Sequence, residues 1–460
     1  MSTQAFSAEN FLEIYDINNR NGENRDKDFF PEVHRSNLRI DRKARAIRNF
    51  YKKHKAGRSK LSPSRRIQAR TLFDNLKSEQ KRKRDTLTAE LQRVSDMVCQ
   101  KGFSISLSTG SANGKTTYRH GDNPPEYYAL RQTAANLRKI YDVKQASRND
   151  ICAQILSMIQ DGYTYYVARL DISSFYESVP QQELVKKVEL DGLLSIQSKR
   201  ILKQSLKAYS DLNGGTSKGI PRGVNISADL SELYMKDLDE NIKQLDGVCF
   251  YARYVDDMIV FFAQPEHVAS SERLPKIVSL IKNSKLDVNP TKTKIYDMRA
   301  NPTFEYLGYV FECRGKNSRA LLSEKKLQRY HDRLNYVLKD YEKDRSINSK
   351  RAFRLLLSRL RFLTGNTQLH NSKRNAHTGI FFSNPIITDL TQLRDLDMIL
   401  SFWASRQLRH NPMLKAKVNS LSFETGFARK RIFRFNRWKK PGQRDELKKI
   451  VGAWSYAEKG

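Results

Sequence analysis

Residues 250–262 read Phe-Tyr-Ala-Arg-Tyr-Val-Asp-Asp-Met-Ile-Val-Phe-Phe, two adjacent acids between two runs of β-forming residues. The chain can fold back here as a hairpin with Asp256 and Asp257 at its tip. A carboxylate pair flanked by buried strands is costly unless a cation sits beside it. Oxygen ligands of this kind suit Mg²⁺. The plain alternative is a surface turn that happens to carry Asp-Asp, so the rest of the chain has to decide.

Charge narrows the partner. Lys and Arg total 83 against 50 Asp and Glu, a net charge of +33 in 460 residues. A positive field of that size fits a nucleic acid better than an anionic membrane surface. No apolar run is long enough to span a bilayer, and the N-terminus shows no basic-then-apolar signal pattern. Cys99, Cys152, Cys249 and Cys313 are scattered and form no CxxC. They are expected to be small core residues in a reducing cytosol, so the chain is placed in the cytoplasm. The histidines show no zinc-ligand spacing.

Basic residues concentrate early. Residues 35–84 hold nineteen Lys or Arg and three acids. Ile40, Ala44, Ile47, Phe50 and Tyr51 recur at helical spacing, and Ser62-Pro63 opens a second helix after a break at Gly57. A solvated helix face is the bland account; the excess charge favours a nucleic-acid surface. Gly110-Ser-Ala-Asn-Gly114-Lys115-Thr116 imitates a phosphate-binding loop but has three residues between its glycines where four are needed. It reads as a loop or hairpin tip.

Residues 126–136 look helical, and 137–160 read as a strand carrying Arg138 and Lys139 followed by a helix. Arg138, Lys139 and Arg148 then gather near the join, either as surface charge or as a triphosphate clamp. Residues 164–171 form an apolar strand ending in Asp171. A glycine-rich stretch, 213–227, leads into a helix bearing Leu230, Leu233, Tyr234 and Leu238. Lys292 and Lys294 lie at the edge of a later strand, and 304–311 read as one strand with Gly308 inside it. Residues 322–460 read mainly as helices, and 429–440 interleave basic and aromatic residues as phosphate contact plus base stacking requires.

Phosphoryl transfer to a nucleic-acid 3′ end uses two metals about 4 Å apart held by converging carboxylates. Asp171 at one strand end and Asp256–Asp257 at a hairpin supply such a set. The order of these motifs resembles the reverse-transcriptase palm. Asp171-Ile-Ser-Ser-Phe-Tyr resembles its first metal motif, and Gly219-Ile-Pro-Arg-Gly-Val-Asn-Ile-Ser the loop that supports template and nucleotide. Tyr254-Val-Asp-Asp resembles the signature hairpin, Asn289-Pro-Thr-Lys-Thr-Lys the lysine motif after it, and Phe304-Glu-Tyr-Leu-Gly the primer grip. Five motifs in order over roughly residues 130–312 are specific together, though each alone is weak.

The resemblance implies an α+β right-hand fold, with fingers and palm built on an antiparallel sheet packed on helices. It implies a basic helical N-terminal extension over 1–100, fingers over 101–165, palm over 166–312 and a thumb-like helical domain over 313–460. It implies RNA-directed DNA synthesis from dNTPs with Mg²⁺. The catalytic residues would be Asp171, Asp256 and Asp257, and the metal set Asp171, Ile172, Asp256 and Asp257. The nucleotide would meet Arg138, Lys139, Arg148, Tyr176, Arg222 and Lys292, with Lys294 the alternative to Lys292. Tyr176 stands at the steric-gate position that excludes a ribose 2′-hydroxyl. Arg222 departs from the pattern, standing where many relatives have Gln. No RNase H domain is expected.

The layout is similar to bacterial reverse transcriptases of the abortive-infection and defence-associated groups, related to retron and group II intron enzymes. That likeness implies a noncoding RNA template, a DNA product and a role in antiphage defence. Asn10-Phe-Leu-Glu-Ile-Tyr-Asp resembles the type that pairs two reverse transcriptases, which makes a second such enzyme, or a second copy, the candidate protein partner. A maturase-like or scaffolding RNA binder, in which polymerisation is secondary, is the competing function, and RNA-templated RNA synthesis a third.

Overall fold

The computed structural model describes residues 4–54, 61–112, 114–263, 270–368, 376–434 and 443–455. In chain order, α1 (Ala8–Arg20), α2 (Asp26–Phe29), α3 (Pro31–His54) and α4 (Pro63–Cys99) precede β1 (Leu107–Ala112) and β2 (Lys115–His120). Helices α5 (Pro124–Tyr141) and α6 (Arg148–Gln160) lead to β3 (Tyr165–Asp171). Then come α7 (Phe175–Ser178), α8 (Gln181–Leu190), α9 (Ile196–Leu212) and α10 (Asn225–Lys243). Strands β4 (Val248–Tyr254) and β5 (Asp257–Ala263), helix α11 (Ser270–Asn283) and β6 (Lys294–Asp297) follow, then β7 (Thr303–Tyr306), β8 (Tyr309–Glu312) and β9 (Arg319–Leu322). The rest is α12 (Glu324–Asp344), α13 (Ser349–Thr364), β10 (Asn366–Gln368), β11 (His377–Gly379), α14 (Thr391–Gln407), α15 (Pro412–Asn419), α16 (Phe423–Ala428) and α17 (Gln443–Ser455). Helices packed with antiparallel sheets make this an α+β fold.

The chain divides into two compact units. The first takes residues 1–111, 116–143 and 179–233; the second takes 112–115, 144–178 and 234–460.

The first unit is built around α5. Asn123 caps it, accepting from the Glu126 N–H at 3.0 Å, while the buried Glu126 carboxylate accepts from Asn123, Ser106 and Gly121. Leu130, Ala134, Leu137 and Tyr141 are buried at successive turns of one face, so the helix continues through Tyr141. The strand expected at residue 137 is therefore absent: Arg138 and Lys139 sit in the last helical turn. Tyr127 and Tyr128 stack edgewise on Phe29 and obliquely on Phe11, 5.1 and 5.3 Å away, tying α1 and α2 to α5. Helices α3 and α4 pack on each other as a long hairpin. Ser62 has the extended backbone of a cap residue, with Pro63 next, but its side chain makes no capping bond.

The second unit holds a four-stranded antiparallel sheet in the order β4-β5-β3-β6 and a three-stranded sheet β7-β8-β9. Strands β3 and β5 are interior, and Met258 to Phe262 are buried without alternation, as expected for a strand covered on both faces. Ile151, Ile155 and Ile159 of α6 join Val167, Ile259 and Phe261 in one core with Leu334, Leu356 and Leu396 of the C-terminal helices. The single strand expected over 304–311 is two strands: Leu307 and Gly308, with φ of 47° and 73°, form a two-residue turn between β7 and β8. Cys152 and Cys313 are buried as expected, whereas Cys99 and Cys249 are exposed. No described helix is long and apolar enough to cross a membrane. Of the interleaved basic–aromatic tail, residues 435–440 lie outside the described residues, as does the break at Gly57.

Candidate active site

Strand pairing brings the three acids together. Asp171 ends β3 directly opposite Asp257, the first residue of β5, and Asp256 occupies the turn before it. Residues facing each other across an antiparallel ladder have Cα atoms about 4.5–5.5 Å apart. The Ile172 N–H donates to the Asp256 carbonyl at 3.2 Å, which extends the ladder one step past the strand end. The segment 287–289 closes the other side: the Asn289 N–H donates to the Asp171 carbonyl at 2.7 Å and the Ser173 N–H to the Asp287 carbonyl at 2.8 Å. Ile172, the remaining residue of the expected metal set, is thus clamped on both sides and bridged to Val288.

The hairpin tip is strained and braced. Val255 has φ of 61°, a left-handed conformation that a β-branched residue rarely adopts. Arg253, whose side chain is 5% exposed, grips Asp239 of α10 through Nε at 2.9 Å and Nη2 at 2.7 Å. Its Nη1 donates to the Val255 carbonyl at 3.0 Å, and the Tyr251 hydroxyl donates to Asp239 at 2.6 Å. From the other side the Tyr306 hydroxyl donates to the Asp257 carbonyl at 2.9 Å. Five donors thus hold the backbone and its brace where a relaxed turn would place neither acid. Strain persists where surroundings over-determine it, and such places cluster at functional sites. Arg253 did not stand out in the sequence, where a charged residue inside an otherwise β-forming run was the available signal; Tyr306 lay in the primer-grip motif without a role of its own.

The electrostatics are those of crowded carboxylates. Burial pushes the Asp257 carboxyl up to about 6, with Asp256 and Asp171 adding repulsion. Asp256 is raised as well, first by burial and then by Asp171, while Lys115 and Lys292 oppose the shift. Lys292 Nζ lies 3.0 and 3.1 Å from the two Asp171 carboxylate oxygens. Lys115 is at the β1–β2 hairpin tip, in the short segment that belongs to the second unit. The lookalike phosphate loop is therefore a hairpin.

The donor set suits Mg²⁺: it is oxygen only and anionic, and burial and mutual repulsion raise Asp256 and Asp257 in pKa. Among the described residues no three Asp, Glu, His or Cys side chains close a metal cage by themselves. Mg²⁺ is ordinarily held by one or two carboxylates with waters and substrate phosphates supplying the rest, so an open set fits it better than a closed one.

Residues 127–311 match the family model described as reverse transcriptase (RNA-dependent DNA polymerase). The matched stretch, less than half of the chain, is similar to a reverse transcriptase domain.

No curated protein matches the sequence. Among solved structures, apo telomerase from Candida tropicalis is similar at 12% identity and a TM-score of 0.36, over 72% of this chain and 53% of that one. Telomerase from Candida albicans in complex with a fragment of telomeric RNA is similar at 14% identity and a TM-score of 0.32, over 72% and 54%. A Candida tropicalis telomerase lacking its C-terminal domain gives 15% identity and a TM-score of 0.33, over 42% and 44%. The chain spans about half the length of these structures.

The residues expected to grip the nucleotide are dispersed over the matched stretch. Arg138 pairs with Asp229 at 2.8 Å within the first unit. Burial pushes Asp229 up to about 6 against the pull of Arg138. Lys139, its neighbour, is exposed. Arg148 belongs to the second unit, where its Nε donates to the Leu307 carbonyl at 2.9 Å and its guanidinium lies 5.5 Å from the Tyr309 ring. Arg138 and Arg148, expected near one join, therefore have partners of their own, because the chain stays helical to residue 141. Tyr176 follows the Asp171 turn on α7, half-buried, its ring 5.7 Å from that of buried Phe175. Arg222 lies in the first unit, its carbonyl accepting from the Tyr118 N–H at 2.7 Å. Of the two lysines left open, Lys292 contacts Asp171, whereas Lys294 lies in β6 opposite Arg169.

Proposed function

We propose that this chain is an RNA-directed DNA polymerase that extends a nucleic-acid 3′ end with dNTPs. The observation that supports it most directly is the register placing Asp171 opposite Asp257, with Asp256 in the adjoining turn. When bound there, Mg²⁺ supplies activation of the attacking hydroxyl and neutralisation of the triphosphate. Asp171, Asp256 and Asp257 are its side-chain ligands in this proposal, with the Ile172 main chain beside them. The Arg253–Asp239 brace keeps Asp256 in place without reorganisation during the reaction. Lys292 offsets the charge of Asp171 and is the lysine that assists the leaving pyrophosphate. Tyr176 excludes the ribose 2′-hydroxyl, and Arg138, Lys139, Arg148 and Arg222 are the further residues proposed to serve the nucleotide.

The template in this reading is a noncoding RNA, the product DNA, the setting cytoplasmic antiphage defence and the protein partner a second reverse transcriptase or a second copy. The layout described above supports these finer points by resemblance. The purified chain, given RNA template, primer, Mg²⁺ and dNTPs, should make DNA that an Asp256→Ala/Asp257→Ala double variant does not. Absence of product, or equal product from the variant, overturns the proposal. Sequencing the co-purifying nucleic acid tests the template, and phage plating on cells carrying each form tests the defence role.

The excess of cations in residues 35–84 favours a second reading, an RNA-binding protein in which synthesis is secondary. Full biological function in the double variant would select it.

A further inference from the structure

The far end of the α3–α4 hairpin is free of acids. Among the described residues from Arg42 to His54 and from Leu61 to Phe73 there is no Asp or Glu, while there are nine Lys and Arg. The near end is different. Buried Glu79 takes Arg39 at 2.6 Å and Lys43 at 3.6 Å, and the Arg39 hydrogen bond holds its carboxyl below the usual range. The hairpin thus neutralises its base and leaves its tip uncompensated.

The tip cations are presented on one side. Along α3, at 100° per residue, exposed Arg42, Arg45, Arg48, Lys52 and Lys53 lie away from buried Ile47 and from half-buried Ala44 and Tyr51. They span about 17 Å of helix axis. On α4, Arg65 and Arg70 are exposed too. None of these seven makes a salt bridge among the described residues. A solvated helix face normally mixes signs; this one carries cations alone from Arg42 outward, with exposed Asp41 and Asp74 at its lower limit.

Rings decide what kind of polyanion fits. Recognition of single strands needs exposed aromatic faces on which bases stack. Here Phe50, Tyr51 and Phe73 are half-buried and occupied with one another, at 5.6 Å for Phe50–Tyr51 and 6.4 Å for Tyr51–Phe73. A rigid rod offering guanidinium and ammonium groups without stacking platforms suits the fixed phosphate rows of a double helix, which is read by shape and backbone.

We propose that the exposed cations of the C-terminal half of α3 and the first turns of α4 grip the backbone of a double-helical RNA segment, independently of sequence. The inference rests on charge and ring burial in the first unit, and it stands or falls separately from polymerase activity.

The test is equilibrium binding of the full chain, in the Asp256→Ala/Asp257→Ala background and without dNTPs, to a labelled RNA hairpin of about 16 base pairs. A single-stranded RNA of equal length, a DNA duplex and a salt series complete the set. Arg45→Gln/Arg48→Gln/Lys52→Gln should weaken hairpin binding at least tenfold and reduce the slope of log K against log salt by roughly 2–3. The charge-matched Lys77→Gln/Lys81→Gln/Arg82→Gln, nearer the base, should weaken it less than threefold. Far-ultraviolet circular dichroism and melting should show both variants folded; if the tip variant unfolds, single substitutions at Arg45 and Lys52 carry the same comparison. Equal loss from both triples would reduce the effect to net charge and overturn the proposal. So would single-stranded RNA or DNA duplex binding as tightly as the RNA hairpin, or an unchanged salt slope.

Discussion

Two hairpins in this chain concentrate one sign of charge at their tips, and they do so by opposite means. The β4–β5 turn carries acids, half-buried, held by a strained Val255, a buried Arg253 paired with half-buried Asp239, and hydrogen bonds from neighbouring strands. The α3–α4 tip carries cations, exposed, on helices that need no such brace. Buried like charges repel at low dielectric and must be positioned by other groups. Exposed like charges are screened by salt and tolerate a simple scaffold. The first arrangement suits a small ion at fixed geometry; the second suits a long polyanion whose position along the groove can vary.

Each experiment below acts on one tip and leaves the other as a control. The largest effect is expected from Asp256→Ala/Asp257→Ala, which should lower DNA synthesis by a factor on the order of 10³ or more while RNA affinity stays within about twofold. A parallel fall in RNA affinity would mean that the two tips are not separable. Next is Arg253→Met, which removes the ion-pair partner of half-buried Asp239 and leaves it the Tyr251 hydroxyl. Breaking such a pair costs about 3–5 kcal/mol, read as a loss of several degrees in Tm, with synthesis falling further than RNA binding. If Tm and synthesis are both unmoved, the brace has no role.

Asp257→Asn gives a smaller effect with a definite sign. The folded carboxyl is raised to about 6 from 3.8, so the folded state prefers it protonated. Its ionisation therefore opposes folding fully above pH 6, and that opposition fades as pH falls towards 4. The substitution should raise Tm by roughly 2–5 °C at pH 8 without Mg²⁺, and by almost nothing at pH 4. A gain that grows towards low pH would contradict the crowding of the acids. The smallest change is expected from Val255→Gly, where relief of the left-handed strain offsets lost contacts, leaving stability within about 1 kcal/mol.

The acid cluster was largely legible because chemistry is local in sequence there: an apolar strand ending in Asp171, and Asp-Asp between β-formers, leave few alternatives. The brace was not, because Arg253 and Asp239 meet across 14 residues and a helix–strand packing that no periodicity encodes. The cations at 138, 139 and 148 misled for a different reason. Residues 137–141 mix apolar and charged residues in a way that suits a strand locally, but burial of Leu137 and Tyr141 against the first unit's core keeps them helical. At Gly308 the apolar residues on either side hid a turn, since a two-residue link with both φ positive needs only one glycine and one tolerant neighbour. The basic block was plain in composition, yet only the packing of α3 on α4 separates the Glu79-neutralised base from the acid-free end.

Helix α4 runs for 37 residues with Pro63 at its first position and no glycine or proline after it. That is a rod of about 55 Å, and its C-terminal half, through Leu87, Leu91, Val94 and Val98, is seated among α1 and α5. With no joint along its length, a tug at one end arrives at the other as torque. Anything clasped at the outer end can thus load the aromatic seat around Phe11 and Tyr128 directly, as an oar loads its rowlock.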